Sequence, residues 1–305
     1  MHDSSLQPHS SDVSISTRAT AWQLRTRSLE LPLRPLVMGI VNVTPDSFSD
    51  GGKFLSRDHA IEHGLLLAAQ GADVLDIGGE STRPYSDPVD AAEELGRTQE
   101  VVRELARRVA IPISIDTSKA AVAQAALEAG AEIVNDVTAL TGDPAMPELV
   151  RHSKAGVVLM HMQGTPQTMQ DAPVYQDVVG EVRGYLRARR DAVVAQGVDQ
   201  QRICLDPGIG FGKTHQHNLI LAAECWRLHE LGCPLLVGHS RKGFIAKVLG
   251  DKEADRTAGT IGVALALARQ QVQLIRVHDV EPVRQALWLF EACGGVDGQA
   301  RQLVD

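Results

Sequence analysis

The sequence predicts a single-domain α/β protein, a (β/α)8 barrel of the TIM type. Short apolar runs rich in β-branched residues recur along the chain, and stretches with helical spacing lie between them. This alternation indicates a parallel sheet with helices packed outside it. About eight units over roughly 270 residues favour a closed barrel over the alternative, an open doubly wound sheet. The open sheet also lacks support, because no run is followed by the G-x-G-x-x-G fingerprint of dinucleotide binding.

Eight runs are assigned to strands because each is short and apolar up to its last residues. This composition is typical of a parallel strand that is buried on both faces. Polar residues are then expected mainly at the carboxyl end of each strand. In chain order the predicted strands span residues 36–42, 73–79, 111–117, 132–137, 156–162, 202–208, 234–240 and 273–279.

The outer helices are assigned from stretches rich in Ala and Leu. Gly71 and Gly130 end two of them and are suitable caps, since glycine accepts the left-handed conformation that ends many helices. Two further helices are predicted within residues 257–271 and 280–295, and the second has Pro282 in its first turn, where proline is tolerated.

The bulk composition is that of an ordinary globular protein with a short tail. Of 305 residues, 44% are hydrophobic and 22% are charged, and the formal net charge is -8. The acidic balance argues against a nucleic-acid-binding protein, which usually has a basic face. Residues 1–20 lack an apolar segment, so we expect a flexible tail there and one catalytic domain over residues 21–305.

Hydropathy and cysteine usage predict a cytoplasmic protein that does not bind membranes. No apolar run approaches the ~20 residues that cross a bilayer. The cysteines form no C-x-x-C pair and lie near no histidine at zinc-ligand spacing, so reduced thiols are expected. They are Cys204, Cys225, Cys233 and Cys293.

Polar side chains end nearly every predicted strand. In a barrel of this type the active site lies at the carboxyl ends of the strands. Asp116 or Asp206 alone would suit the cap of the next helix, and His161 alone would suit a satisfied core histidine. Their convergence on one rim instead predicts a site. The candidates are Asn42, Glu80, Asp116, Asn135, Asp136, His161, Asp206, Ser240, Lys242, Arg276 and His278.

The rim residues suit a ligand with two kinds of polar group. Carboxylates beside amides match the donor edge of a heterocycle such as an aminopyrimidinone. Arg, Lys and His match phosphate or carboxylate oxygens. Lys242 would also suit a Schiff-base nucleophile, which keeps a class I aldolase as an alternative. The segment GIGFGKT lacks the spacing of a nucleotide-binding P-loop.

Eight stretches together resemble the dihydropteroate synthase family of pterin-binding enzymes. They extend from Met38 to Val280 in the order found in that family. The resemblance implies a transferase of folate biosynthesis. The enzyme would join p-aminobenzoate to 6-hydroxymethyl-7,8-dihydropterin diphosphate and release pyrophosphate. The stretches read MGIVNVTPDSFSDGG, DIGGESTRP, ISIDTSK, IVNDV, VLMHMQGTPQTMQ, LDPGIGFGK, LLVGHSRKGF and LIRVHDV.

The resemblance also implies a role for each matching residue. Asp116, Asp206 and Lys242 would act in catalysis. Asn42 would hold Mg²⁺ and, with Arg276 and His278, the diphosphate. The pterin would be bound by Asp116, Asn135, Met160, Asp206, Lys242 and Arg276. The p-aminobenzoate would be bound by Phe48, Thr82, Arg83, Pro84, Phe211 and Ser240.

Three further expectations follow from this resemblance. The substitution is expected to be SN1-like, sulfonamides are expected inhibitors, and the protein is expected to be a homodimer. The alternatives are a pterin-binding methyltransferase module that presents methyltetrahydrofolate to a corrinoid protein and a non-catalytic pterin-binding homologue. The chain departs from the family pattern at His239, where a hydrophobic or small residue is common, and at Tyr85.

Overall fold

The computed structural model describes residues 17–43, 53–82, 86–165, 168–169 and 171–302. The described chain begins with an antiparallel hairpin, β1 at Ala21–Gln23 and β2 at Ser28–Glu30. Eight parallel strands follow among the described residues. They are β3 Leu36–Asn42, β4 Val74–Gly78, β5 Ile113–Asp116, β6 Ile133–Asp136, β7 Gly156–Met160, β8 Ile203–Asp206, β9 Leu236–Gly238 and β10 Leu274–Val277.

Helices separate these parallel strands along the chain. Among the described residues, one α-helix follows each of β3 to β8, two follow β9 and the last one follows β10. In chain order they are α1 Lys53–Ala69, α2 Ala91–Arg108, α3 Ala120–Ala129, α4 Met146–Ser153, α5 Val178–Ala195, α6 His215–Ala223, α7 Gly243–Leu249, α8 Thr257–Arg269 and α9 Val280–Ala292. Among the described residues, no helix is long and apolar enough to span a membrane.

The parallel strands form a barrel, which confirms the predicted (β/α)8 architecture. Their order in the sheet is β8-β7-β6-β5-β4-β3-β10-β9, with parallel pairing throughout. A parallel bridge between Leu205 and Leu235 brings the two ends of this sheet together. Strand pairing that returns on itself in this way excludes the open doubly wound alternative.

Alternation along the strands divides the barrel interior into layers. Side chains in a strand alternate between its two faces, so residues two apart share a face. The lower interior layers are apolar and buried, and they include Val74, Ile133 and Leu274. Trp22 and Leu24 of the hairpin belong to the same cluster and close the bottom of the barrel. The side chains two positions further along these strands therefore reach the mouth.

The amino-terminal boundary of the folded body lies before the predicted residue 21. Arg18 donates from Nε to the Gln271 carbonyl at 3.0 Å, and Gln273 donates from Nε2 to the Ala19 carbonyl at 3.1 Å. These bonds attach residues 18–20 to the start of β10. The rest of the predicted tail, residues 1–16, lies outside the described residues.

The predicted helix signals agree with the observed elements. Gly130 is the C-cap of α3 with φ of +118°, and Gly71 follows α1 with φ of +92°. Both angles lie in the left-handed region that favours glycine. Pro282 lies in the first turn of α9, as expected.

Candidate functional site

Arg276 connects two carboxylates across the mouth of the barrel. It extends from β10 and donates from Nε to Asp76 Oδ2 at 2.6 Å and from Nη2 to Asp116 Oδ2 at 2.8 Å. Asn135 on β6 donates from Nδ2 to the same Asp76 oxygen at 3.0 Å. The structure therefore brings together Asp116, Asn135 and Arg276, which the sequence analysis placed in one site.

Asp76 is a member of this cluster that sequence reasoning missed. Its side chain is fully buried, and within the described residues its Oδ1 has no hydrogen-bond partner. A signal was present, because a carboxylate lies inside the apolar run DVLDIGG, two residues after Val74. A charge buried in a strand requires a partner of opposite charge, and Arg276 is that partner.

Asp206 and Lys242 form a second group at the mouth, after β8 and β9, the strands that meet where the barrel closes. Asp206, at the end of β8, accepts a hydrogen bond from the Gly208 backbone N–H at 2.7 Å. Lys242 precedes α7, and its Nζ lies 4.2 Å from the centre of the Phe211 ring. A cation over an aromatic face is a favourable contact. Met160, the register partner of Asp206 on β7, is buried beside them.

Burial shifts the ionisation of these groups toward neutrality. Desolvation raises the pKa of Asp116 to about 7, against the attraction of Arg276. It raises the pKa of Asp206 to about 6, against the hydrogen bond from Gly208. It lowers the pKa of Lys242 to about 8, although Asp206 favours the charged form. Groups with such pKa values change protonation readily when a ligand replaces their partners.

A serine and a histidine meet where β9 and β10 end. Ser240 Oγ accepts a hydrogen bond from the His278 backbone N–H at 3.2 Å and lies 3.0 Å from the ring atom Nδ1. Ser240 is buried and His278 is half-buried. The two residues were predicted to serve different parts of the ligand, and the structure places them in contact.

The remaining predicted ligand-binding residues fall into two groups. Asn42 ends β3 and Thr82 follows β4, and both are half-buried. Phe48, Arg83 and Pro84 lie outside the described residues, as does Tyr85. The described ranges contain no group of three or more His, Cys, Asp or Glu side chains arranged to hold a metal ion.

Two candidates from the predicted rim serve the scaffold instead. The Asp136 carboxylate accepts hydrogen bonds from the Thr138 N–H at 2.7 Å and from the Leu140 N–H at 3.0 Å, so it fixes the turn after β6. Glu80 accepts from Lys119 Nζ at 2.7 Å, and the same ammonium lies 2.6 Å from the fully buried Glu94. These contacts are structural, because the carboxylates of Asp136 and Glu80 already accept hydrogen bonds from protein groups on both oxygens.

His161 is also a core residue, which agrees with the expectation for this histidine when it is considered alone. Its ring packs edge-on against Tyr185 with centroids 4.8 Å apart, and its Nδ1 lies 2.9 Å from the buried Lys213 Nζ. Desolvation and the nearby Lys213 lower the pKa of His161 to about 3. This neutral, buried imidazole packs the end of β7 against α5 and Lys213.

The residue that departs from the family pattern, His239, has a structural explanation. It is fully buried before Ser240, and its Nε2 lies 3.0 Å from the Thr260 carbonyl oxygen. Desolvation lowers its pKa to about 4. The neutral ring connects the end of β9 to α8.

All four cysteines are free thiols, as expected.

The chain matches the model of one protein family over most of its length. That family is described as pterin binding enzyme, and the match spans residues 38–278. The dihydropteroate synthase of Neisseria meningitidis serogroup B is 47% identical over 279 residues, which represent 90% of this chain and 97% of that protein. The segment that matches the family model, residues 38–278, contains every parallel strand of the barrel except the first two residues of β3.

Solved structures of similar enzymes share the fold. The Xanthomonas albilineans dihydropteroate synthase with 4-aminobenzoic acid has a TM-score of 0.83 at 45% identity, covering 90% of this chain and 98% of that chain. Its complex with 7,8-dihydropteroate has a TM-score of 0.80 at 43% identity, covering 89% and 98%. The Yersinia pestis dihydropteroate synthase, solved with a sulfonamide drug, has a TM-score of 0.83 at 42% identity, covering 89% and 98%.

Proposed function

This chain belongs to the pterin binding enzyme family, and on that premise we propose that it catalyses the dihydropteroate synthase reaction. It is a transferase that condenses 6-hydroxymethyl-7,8-dihydropterin diphosphate with p-aminobenzoate. The products are 7,8-dihydropteroate and pyrophosphate, which makes this a step of folate biosynthesis. The observation that carries the proposal is the set of acceptors and cations that converge at the barrel mouth.

The pterin is proposed to bind between the two halves of the mouth. Asp116, Asn135 and Asp206 offer oxygen acceptors to the amino and N–H groups along one edge of the ring. Met160 supplies an apolar surface, and Lys242 donates toward the ring's carbonyl or nitrogen acceptors. Arg276 covers a face of the ring, since a planar guanidinium stacks well on a π-system.

The diphosphate is proposed to bind at Asn42, Arg276 and His278. A Mg²⁺ ion fits this subsite because Mg²⁺ usually takes one or two protein ligands and keeps substrate phosphates and waters as the others. The half-buried Asn42 offers a neutral amide oxygen, which suits an ion that arrives with the diphosphate. When bound, the ion would neutralise leaving-group charge.

The p-aminobenzoate is proposed to lie beside Phe211, Thr82 and Ser240, with Phe48, Arg83 and Pro84 completing its subsite. The Ser240 hydroxyl would donate to the carboxylate. A sulfonamide carries an arylamine of similar shape, so sulfonamides are proposed inhibitors. We also propose a cytoplasmic homodimer, for which the exposed Trp288 and Leu289 of α9 supply an apolar contact.

The substitution is proposed to be dissociative. The bond between the methylene carbon and the diphosphate oxygen breaks first, and its electron pair leaves on the oxygen, whose charge is balanced by Arg276. Positive charge then develops on the carbon and the conjugated ring, where Asp116 and Asp206 stabilise it. The neutral arylamine nitrogen attacks this carbon and afterwards loses one proton to solvent, so no strong base is required.

Product formation from defined substrates tests the reaction. Dihydropterin diphosphate, p-aminobenzoate and Mg²⁺ should release pyrophosphate only when both organic substrates are present. Asp116→Ala and Lys242→Ala should abolish product while circular dichroism still reports a folded protein. Failure to form 7,8-dihydropteroate when both organic substrates are present would exclude the synthase reaction. Transfer of a methyl group from methyltetrahydrofolate to a corrinoid protein would favour the methyltransferase alternative.

The order of bond breaking has its own test. Substrate with ¹⁸O in the bridge between carbon and phosphorus is incubated with the enzyme in the absence of p-aminobenzoate. A dissociative step predicts that the label scrambles into the non-bridging positions. Complete retention of the label, in enzyme that turns over when the amine is added, would contradict the dissociative mechanism.

A further inference from the structure

We propose that Asp76 is a positioning residue that sets Arg276 and Asn135 for the pterin, an inference that rests on the proposed function. Asp76 lies within β4, fully buried beneath the mouth. One of its oxygens, Oδ2, accepts hydrogen bonds from both Arg276 Nε at 2.6 Å and Asn135 Nδ2 at 3.0 Å. A single buried oxygen thus orients two residues that the proposed function assigns to the ligand.

The two carboxylates that bind Arg276 differ in one respect: the proposed ligand also binds Asp116 but does not bind Asp76. Asp116 is assigned to the donor edge of the pterin, so the ligand and Arg276 Nη2 compete for the same carboxylate. The bond from Arg276 Nε to Asp76 lies below this edge and has no such conflict. Asp76 therefore acts as the pivot. It keeps the guanidinium charge-paired and in place while the ligand competes for Asp116.

The contact with Asn135 determines which end of its amide faces the ligand. Because Nδ2 donates to Asp76, the amide oxygen is the group left for the mouth. The mouth then offers three oxygen acceptors, from Asp116, Asp206 and Asn135. A ring edge rich in N–H donors matches them, whereas an edge rich in acceptors is repelled. Asp76 thereby contributes to the choice of the heterocycle.

The pivot lies between an apolar and a small neighbour on the same face of β4. Val74 precedes it in the interior layer, and Gly78 follows it at the mouth. A Cβ added at Gly78 would lie 3.5 Å from Asp116 Cβ, in ordinary contact. Asp76 is thus held on β4 by the barrel itself, which is the rigid support that a positioning group requires.

Binding of 6-hydroxymethyl-7,8-dihydropterin, measured by calorimetry, tests the pivot. Asp76→Asn keeps the shape of the side chain. It removes the negative charge and replaces one of the two acceptor oxygens with an amide donor. Its Kd for the pterin should rise on the order of 10- to 100-fold, the effect of losing a hydrogen bond to a charged group. The KM for p-aminobenzoate should stay at the wild-type value. Asp73→Asn is the matched control, since Asp73 lies just before β4, at the end of the barrel opposite the mouth, and its carboxylate accepts the N–H of Val37 on the neighbouring strand β3.

A double-mutant cycle with Arg276→Lys separates positioning from general damage. Lysine retains the charge of Arg276 but has no Nε–H for Asp76. In that background, Asp76→Asn should raise the Kd by a smaller factor than in the wild type, because the part of its effect that acts through Arg276 is already lost and only the part through Asn135 remains. Equal effects of Asp76→Asn in both backgrounds would overturn the inference, as would wild-type pterin affinity in the single variant.

Two controls keep the outcome decisive. Thermal unfolding checks that Asp76→Asn is folded, and Asp76→Ser, which leaves room for a water molecule, replaces it if it is not. Wild-type enzyme is assayed in parallel for dihydropteroate. Failure of wild type to form product would reject the proposed function, whereas normal turnover with unaltered pterin binding in the Asp76 variants would reject only the pivot.

Discussion

Ser240 Oγ lies 3.0 Å from Nδ1 of His278 and also accepts the His278 backbone N–H at 3.2 Å. One hydroxyl thus joins the loop after β9 to the end of β10. Under the proposed function these residues bind different substrates, Ser240 the p-aminobenzoate and His278 the diphosphate. The contact makes the two subsites dependent on each other.

Ser240→Ala is expected to weaken the binding of both substrates. The variant loses the hydroxyl that faces p-aminobenzoate and also the group that orients the His278 ring. Each KM should rise by about five- to ten-fold, as expected for the loss of a neutral hydrogen bond. Steady-state kinetics with each substrate varied in turn provide the measurement. Ser153→Ala is the control, because the Ser153 hydroxyl bonds to the local backbone at the end of α4. A rise confined to the p-aminobenzoate KM would refute the coupling.

Asp116→Asn is expected to stabilise the protein at high pH. The pKa of Asp116 is raised from 3.8 to about 7, mainly by desolvation. The folded state therefore holds this proton more tightly than the unfolded state does. Its stabilising effect is complete below pH 4 and is lost as the pH rises through 7. The variant removes the burial of a charge, so at pH 8 it should be more stable than wild type by a few kcal/mol, on the order given by linkage.

Urea unfolding at pH 5 and pH 8 measures this difference. The stability advantage of Asp116→Asn should be larger at pH 8 than at pH 5. Asp255→Asn is the control, since Asp255 is exposed and hydrogen bonds from Thr257 lower its pKa. Its effect should be the same at both pH values. An advantage of Asp116→Asn that shrinks with rising pH would contradict the raised pKa.

Gly208→Ala is expected to disrupt the loop that carries Phe211. Gly208 has φ of +68°, and a Cβ there would lie 1.9 Å from the His161 carbonyl oxygen. The loop has to move, and Asp206 then loses the N–H that it accepts. Gly250→Ala provides a matched control, because Gly250 has φ of +74° with no atom within 4 Å of the added Cβ. The control should lose only about 1 kcal/mol of stability.

The measurements for this pair are turnover and thermal unfolding. Gly208→Ala should lose most of its kcat/KM and unfold at a lower temperature than the control variant. Since the two backbone angles are alike, the comparison isolates the steric contact with His161. Equal behaviour of the two variants would show that the loop tolerates the methyl group.

Lys119→Met is expected to destabilise the protein and to raise the KM for p-aminobenzoate. Lys119 Nζ lies 2.6 Å from Glu94, whose carboxylate is fully buried, and 2.7 Å from Glu80. Without the ammonium, Glu94 becomes an unpaired buried charge, and the free energy of unfolding should fall by at least about 2 kcal/mol. Glu80 also accepts the Val89 N–H at 2.9 Å, so the segment that carries Thr82 loses an anchor.

Chemical denaturation and kinetics in p-aminobenzoate test this anchor. Arg107→Met is the control, since Arg107 is largely exposed and its pair with Glu104 is long at 3.7 Å. An exposed pair of this kind contributes less than about 1 kcal/mol. A Lys119→Met variant as stable as the control would show that Glu94 finds another partner.

The fold could be predicted from local pattern because the relevant signals are short in range. Each strand was recognised from its own apolar run, and Gly130 marked a helix end without reference to any distant residue. The boundary of the tail was less accurate. Arg18 is attached through Gln271, which is remote in sequence, so composition near residue 18 carried no sign of the contact.

The site could be predicted in part. Strand ends gave Asp116, Asn135 and Asp206, because a barrel brings all carboxyl ends to one rim. The same rule also selected Asp136 and His161. Their side chains point to a turn and to α5 rather than to the mouth, which depends on the face of the strand and not on its end.

The residue pattern predicted the order of strands and helices, the rim on which the polar side chains are concentrated and the family to which the motifs belong. These follow from periodicity and from contiguous residues. The contacts of Asp76 with Arg276 and of Ser240 with His278 arise from the folded structure and could not be predicted from the pattern. Barrel closure pairs β10 with β3, and thereby sets Arg276 opposite carboxylates of β4 and β5. Such pairings depend on distance across the barrel, which no local pattern encodes.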